Sequence, residues 1–193
     1  MKYYQDITII PCAEISIYHI WEKLYQQVHL ALVESKDADG KIHIGVAFPK
    51  YQYNENCKTL GNVFRVFAQT KPELENLNLN KWLSRLNDYV HIKSIKPIPE
   101  TNKFYSFWSP QPKGNRLKIA RRNAKRKNIT EAQALLALKD YKETTFDFPF
   151  INTNSLSKKE RFIKFIKAEN ADTMVNNGFN SYGLSRQSSL PNF

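Results

Sequence analysis

The feature that most constrains the fold is the order in which strand-like and helix-like hydrophobic periods follow one another between residues 3 and 95. Residues 3–10 alternate Ile7 and Ile9 against Asp6 and Thr8, and Pro11 ends the run, so this is a strand. Residues 15–33 put Ile17, Ile20, Trp21, Leu24, Val28 and Leu32 on one helical face. The tract DADGK (37–41) is a turn. IHIGVAF (42–48) is a second strand, with Ile42, Ile44, Val46 and Phe48 on one side. VFRVFA (63–68) is a third strand; helical character follows from Pro72 to about Asp88, with a break expected near Asn78, and a last strand covers 89–95. The order β-α-β-β-α-β is that of a ferredoxin-like unit, a fold that hosts many functions and decides none by itself.

Beyond residue 95 the pattern is looser. KPIPE (96–100) reads as a linker, KFYSFW (103–108) as a short strand, and SPQPKGN as a loop before a basic helix. Thr130 with Gln133 makes a capping box for a further helix carrying Ala134, Leu135, Leu138 and Tyr141. FDFPFI (146–151) and RFIKFIKA (161–168) read as strands joined by NTNSLSKKE, the second alternating Ile163 and Phe165 against Lys164. The end, FNSYGLSRQSSLPNF, has no clear period. The expected class is α+β, with a ferredoxin-like domain over 1–98 and a basic α+β domain over 99–193.

Charge supports that division. Residues 1–99 carry 12 basic and 10 acidic side chains, whereas residues 100–193 carry 17 and 8, so most of the net +11 lies in the second half. The focus is KGNRLKIARRNAKRK (113–127), which holds Lys113, Arg116, Lys118, Arg121, Arg122, Lys125, Arg126 and Lys127 and no acid. On a helix, Lys118, Arg121, Arg122, Lys125 and Arg126 share an arc of roughly 140°, opposite Leu117, Ala120 and Ala124. Five cations on one arc repel, and no acid at i±4 relieves them, which points to a polyanion rather than to a merely solvated face. Aromatic content of 13% marks a folded protein, not a basic tail. Cys12 and Cys57 form neither a CxxC pair nor a disulfide framework. With no signal-peptide core and no apolar run near membrane length, a soluble, cytoplasmic protein is expected.

The catalytic inventory is short. There is no P-loop, no GxGxxG, no metal-ligand spacing of Cys and His, and no acidic cluster of the two-metal kind, so no cofactor is expected and hydrolytic chemistry would be metal-free. Metal-free RNA cleavage needs a base for the 2′-hydroxyl, a group that holds that hydroxyl in line, and stabilisation of the phosphorane. His29, at the edge of the apolar face of the first helix, fits the base, since imidazole titrates near neutrality. The other reading of His29 is a boundary histidine bonded to backbone. His19 is read as solvated, His43 and His91 as ordinary strand residues. Ser155 and Ser157 could present two hydroxyls from one face of a loop, although serines also populate loops for turn reasons. Phe162, among Lys158, Lys159 and Arg161, is either a core ring or one that stacks on a base.

Taken in order, a helix-one histidine in QQVHLALV, the strand IGVAFP, the basic ARRNAKR, the SxS loop followed by RFIKFI, and the terminal SYGLS resemble the CRISPR-associated repeat-processing endoribonucleases of the subtype I-F branch. The resemblance covers nearly the whole chain. It implies a ferredoxin-like (RAMP-type) amino-terminal domain and a basic carboxy-terminal domain. It further implies metal-independent cutting of precursor CRISPR RNA at the 3′ base of a repeat hairpin, leaving a 2′,3′-cyclic phosphate, with the protein then staying on the hairpin within a surveillance complex. By the same resemblance His29 matches the catalytic histidine, Ser155 the serine that holds the 2′-hydroxyl, Ser157 a supporting hydroxyl, and Tyr182 the tyrosine that orders the site. Phe162 matches the ring under the last base pair, Gln111 a base-reading glutamine, and Arg122, Lys125 and Arg126 the positions that follow the stem phosphates.

One departure stands out. Members of this branch often carry an arginine two residues before that glutamine; here the position is Ser109, with Trp108 beside it as a substitute stacking surface. Lys125 in place of a family arginine also gives up bidentate phosphate geometry. Two other classes remain open on the sequence. A non-catalytic RNA-hairpin-binding subunit shares the basic helix without needing His29. A DNA-binding regulator would use that helix in a B-form groove, but no helix-turn-helix partner or dimerisation heptad accompanies it.

Overall fold

The structure is a computed structural model that describes residues 1–112, 114–154 and 160–193. In chain order the elements are β1 (Tyr3–Ile9), α1 (Ile17–Glu34), β2 (Gly45–Ala47), β3 (Gln52–Tyr53), β4 (Lys58–Thr59), β5 (Val63–Ala68), α2 (Lys71–Leu77) and α3 (Leu79–Trp82). A 3-10 turn (Ser84–Leu86), β6 (Val90–Ile92), β7 (Lys96–Pro97), β8 (Phe104–Trp108), α4 (Arg116–Lys127) and α5 (Glu131–Leu136) follow. The chain closes with β9 (Phe150–Asn154), β10 (Arg161–Phe165), β11 (Lys167–Ala171) and β12 (Leu190–Pro191). The protein is α+β. It divides into two compact units, one of Met1–Ser109 with Phe148–Phe193 and one of Pro110–Asp147.

In the larger unit an antiparallel sheet of order β2-β5-β1-β6 forms the frame, with β7 also paired to β1. Ile7 and Ile9 are fully buried, and α1 lays Ile20, Trp21, Leu24, Val28 and Leu32 into the same core. Trp21 Nε1–H donates to the Gly61 carbonyl at 3.0 Å, so the largest ring of the helix is satisfied as well as buried. The helical stretch after β5 breaks where expected. Asn78 is left-handed (φ 47°), ending α2, and its side chain accepts from Lys81 N at 3.3 Å to start α3.

Three local expectations are corrected. KPIPE is not a free linker: Lys96 and Pro97 pair with Tyr4 and Tyr3, and the Ile98 N–H donates to the Lys2 carbonyl. The 146–151 strand starts only at Phe150, after Pro149, which has no N–H to give a ladder. The 161–168 strand is two strands, β10 pairing with β9 and β11 with β8, divided at buried Ile166. Its polarity is also reversed, because Ile163 is half exposed while Lys164 faces inward with Ile151 and Thr153 of β9.

The expected boundary at 98/99 divides the charge, and the compact units are drawn differently. Phe107, Ile151, Ile166, Leu184 and Leu190 lie in one core with Phe48 and Phe64. A three-stranded sheet of order β11-β8-β12 and the β9–β10 pair therefore belong to the unit that contains β1. The smaller unit is a helical pair. Its apolar contact consists of Ala120, Ala124 and Ala134 with Leu135 and Leu138. The Thr130–Gln133 capping box is present, with Gln133 N–H donating to Thr130 Oγ1 at 3.2 Å and Thr130 N–H to Gln133 Oε1 at 3.1 Å. Leu117, expected in the apolar strip, is 54% exposed; the buried stripe is narrower than the sequence pattern implied. Among the described residues no helix is long and apolar enough to cross a membrane.

Candidate active site

Two segments far apart in sequence meet at His29. Residues 180–184 form a tight turn in which the Asn180 carboxamide oxygen accepts from Tyr182 N–H (2.9 Å) and Leu184 N–H (3.2 Å). Gly183 holds φ +71°, and its carbonyl accepts from Val46 N–H at 2.9 Å, tying the turn to the edge strand β2. A Cβ on Gly183 would lie 2.5 Å from Val46 Cγ1, so only glycine fits on both counts. The turn thereby delivers the Ser181 carbonyl and the Tyr182 ring to α1. Tyr25 on α1, fully buried, donates its hydroxyl to the Tyr182 carbonyl at 3.2 Å and stacks near its ring.

His29 is fixed on two sides. Its Nδ1 lies 2.5 Å from the Ser181 carbonyl oxygen, and its ring stacks on Tyr182 with centroids 3.9 Å apart at 6°. A carbonyl cannot donate, so Nδ1 carries the hydrogen and Nε2 keeps its lone pair. Among the described residues Nε2 has no protein partner. Burial pushes the imidazole pKa down, the hydrogen bond to Ser181 partly offsets that, and the charges of Lys164 and Lys36 push it down further. The result is a neutral, oriented imidazole at pH 7. Of the two sequence readings of His29, the bond to backbone is observed, and that bond leaves the other nitrogen unengaged among the described residues.

Lys164 completes the cluster, and the sequence pattern had placed it on the wrong side of its strand. Its Nζ sits 3.7 Å from the centre of the Tyr182 ring and 5.6 Å from that of Phe162. Burial lowers its pKa to about 8. Tyr182 is pushed above the usual phenol value, also by burial. Asn154, the last described residue before the 155–159 segment, donates its side-chain amide to Glu22 Oε1 at 2.9 Å. Glu22 lies seven residues before His29 on α1, which is the same helical face about 10 Å away. Glu22, Asn154 and the Ser181 carbonyl were not singled out from the sequence. A buried acid on an otherwise apolar helix face is the signal that could have found Glu22.

The structure brings His29, Tyr182, Lys164 and Phe162 together. Phe162 is 37% exposed, so part of its ring is available to a ligand. Ser155, Ser157 and Lys113 lie outside the described residues. Trp108 is half-buried, with the Arg186 guanidinium 4.5 Å and the Lys167 ammonium 5.5 Å from its ring centre, so stacking there would compete with resident cations. Ser109 beside it is also half-buried. His19 and His91 are exposed, and His43 bonds Asp37 at 2.8 Å. Among the described residues no three His, Cys, Asp or Glu side chains are grouped to hold a metal ion.

In the smaller unit the basic residues sort into two kinds. Arg116 is not a free cation: its guanidinium donates to the Leu135 carbonyl at 3.0 Å and its backbone N–H to Glu143, so it ties the helical pair together. Arg121 lies 3.5 Å from Glu131, an acid from the neighbouring helix that relieves some of the repulsion expected along α4. Gln111, Lys118, Arg122, Lys125 and Arg126 are exposed. Arg126 makes one long contact, 3.5 Å to Asn123.

Residues 4–193 match the family model described as CRISPR-associated protein (Cas_Csy4). The chain is also 29% identical over 194 residues, covering the full length of both proteins, to the CRISPR-associated endonuclease Cas6/Csy4 of Escherichia coli (strain UTI89 / UPEC). It is 29% identical over the same span to the protein of that description from Pseudomonas aeruginosa (strain UCBPP-PA14).

Proposed function

The chain belongs to the Cas_Csy4 family of CRISPR-associated proteins, and from that premise we propose that it is a metal-independent endoribonuclease. It cleaves precursor CRISPR RNA at the 3′ base of the repeat hairpin, giving 2′,3′-cyclic phosphate and 5′-hydroxyl ends. The observation that carries this reading is the tautomer of His29: Nδ1 is spent on the Ser181 carbonyl, so Nε2 is a base held in one direction. In the reaction Nε2 takes the 2′-hydroxyl proton while the 2′-oxygen attacks the adjacent phosphorus. Such acid–base help is worth roughly 10²–10⁴-fold. Ser155, with Ser157 in support, holds the 2′-hydroxyl, a role that rests on the resemblance of the SxS segment. Tyr182 fixes the plane of the imidazole by stacking, and Phe162 offers its exposed part to the last base pair of the stem.

Binding is assigned to α4. Lys118, Arg122, Lys125 and Arg126 follow stem phosphates, with Lys113, Arg121 and Gln111 contributing from the same segment. A-form RNA has a deep, narrow major groove that side chains read poorly but that a basic helix can line with charge. About five phosphate contacts give a log–log salt slope of around −3 to −5. Binding of that kind also suits retention on the mature guide RNA beside other subunits of a type I-F surveillance complex. The sheet order β2-β5-β1-β6 supports a ferredoxin-like amino-terminal half.

The test is cleavage of a labelled repeat hairpin in chelator. Wild-type protein is expected to cut, and His29→Ala to bind with near-wild-type affinity without cutting. Cutting by the variant at the wild-type rate would overturn the assignment. Wild-type binding without any cutting would favour a non-catalytic hairpin-binding subunit instead.

A further inference from the structure

Glu22 is a buried carboxylate that belongs to none of the reacting or phosphate-binding groups above; 8% of it is exposed. On α1, Tyr18, Glu22, Tyr25 and His29 fall within an arc of about 60°. This stripe holds two distant segments at once. Tyr25 and His29 take the 180–184 turn, through the Tyr182 and Ser181 carbonyls and the Tyr182 ring. Tyr18 and Glu22, nearer the start of the helix, take β9. Tyr18 stacks on Phe150 at the beginning of that strand, with ring centroids 6.1 Å apart at 19°. Glu22 Oε1 accepts from the Asn154 side-chain amide at its end, at 2.9 Å. An ionised carboxylate can only accept, so the amide nitrogen faces it and the bond has one direction. β9 and β10 form a sheet of their own, and a two-stranded ribbon has little stability by itself. The two contacts tie this ribbon to the helix that carries His29. Asn154 stands opposite Arg161 across the ribbon, so the bond to Glu22 grips it at the point where the chain continues to Ser155. Burying a carboxylate costs stability that an apolar side chain would not. What the carboxylate adds is direction: a hydrogen bond fixes distance and angle where apolar contact does not.

Resting on the endoribonuclease reading above and on the role given there to Ser155, we propose that Glu22 is a positioning residue. Through Asn154 it holds the point from which the chain continues to Ser155 at a fixed distance from His29. The hydroxyl that restrains the 2′-hydroxyl and the nitrogen that takes its proton are thereby set from one helix. Glu22 neither touches the RNA nor moves a proton. It acts on the rate once the hairpin is bound, because in-line attack tolerates little displacement: about 1 Å of misplacement costs about 10²-fold. Lys23 lies 3.7 Å from the same carboxylate oxygen with 44% of its side chain exposed, so it balances charge without fixing direction.

The test is single-turnover cleavage of the labelled repeat hairpin by an excess of the full-length protein, alongside affinity for an uncut 2′-deoxy hairpin. Asn154→Asp sets two carboxylates against each other and is expected to slow cleavage about 10–10²-fold, with affinity within about twofold of wild type. Asn154→Ala, which adds no charge, is expected to be slow in the same way. Glu22→Gln combined with Asn154→Asp exchanges donor and acceptor, and should return the rate to within about threefold of wild type. The acid limb set by His29 should keep its position throughout, since the Ser181 bond is untouched. In a Ser155→Ala background Asn154→Asp should add little further loss, because the two act as a unit. Wild-type rates in both Asn154 variants, an exchanged pair that stays slow, a displaced acid limb, or losses that add to that of Ser155→Ala would each overturn the proposal. His29→Ala serves as the separating arm. If it is inactive while the Asn154 variants are fully active, only the role of Glu22 fails; if it is itself fully active, the nuclease reading fails first.

Discussion

The unit around His29 and the helical pair of residues 110–147 solve opposite problems with the same chain. The first encloses its polar groups. Tyr25 and His29 both stack on Tyr182, Tyr25 donates to the Tyr182 carbonyl and His29 to that of Ser181, and the turn that carries Tyr182 is held by Gly183 against Val46. The second encloses almost nothing, with three alanines and two leucines as its apolar contact, and leaves Lys118, Arg122, Lys125 and Arg126 in solvent. Burial shifts pKa values in the first, on His29, Lys164 and Tyr182. Chemistry needs groups whose positions and protonation are fixed, whereas grip on a phosphate backbone needs charge that can adapt.

The sharpest way to break this comparison is to damage each region alone. His29→Ala should reduce the single-turnover cleavage rate by about 10²–10⁴-fold while hairpin affinity stays near wild type. Arg122→Ala with Arg126→Ala should do the reverse, weakening binding and flattening the salt slope by about 2, with saturating cleavage little changed. If the double variant lost cleavage at saturation but kept its affinity, the division of labour would be wrong. Gly183→Ala probes the rigidity of the first region: left-handed backbone and the clash with Val46 should cost about 2–5 kcal/mol, read by denaturant unfolding. The same substitution in the cap-to-helix region of the second unit, Gly114→Ala, should be nearly neutral, since a Cβ there meets nothing closer than 3.6 Å.

The pH dependence gives the smallest and most diagnostic effects. Because the His29 pKa lies below its ordinary value, the acid limb of the cleavage profile should fall below pH 6.5, and His29→Ala should carry no such limb. For Lys164 the folded value of about 8 lies below that of the unfolded chain. At pH below about 8 the fold therefore bears the full cost of the buried charge, and the cost fades as pH rises toward the ordinary lysine value of about 10.4. The stability of Lys164→Met relative to wild type should accordingly fall across that window. A difference independent of pH would mean that the ammonium is solvated in the folded state.

Much of the frame could be read directly. The alternation in β1, the apolar face of α1, the break at Asn78 and the Thr130 capping box are local patterns, fixed by period and by the hydrogen-bonding chemistry of single residues. The exposed cations of α4 were equally legible, since charge on a helix face needs no tertiary partner. Periodicity failed where strands trade partners. Lys164 looked outward because Ile163 and Phe165 flank it, but β10 shows its Lys164 face to the core. Arg116 looked like one more free cation of the basic segment until α5 supplied a carbonyl for it.

By itself, then, the sequence determined most of the helices and strands of the frame, the basic face of α4 and the place of a histidine at the edge of α1. Only the tertiary structure decided that Ser181, 152 residues away, would take one nitrogen of that histidine, and that Lys164 would sit over Tyr182 with no acid paired to it among the described residues. The physical reason is range: helical period and capping act within a few residues. The direction of a lone pair and the cost of a buried charge depend on whichever distant segments close the site.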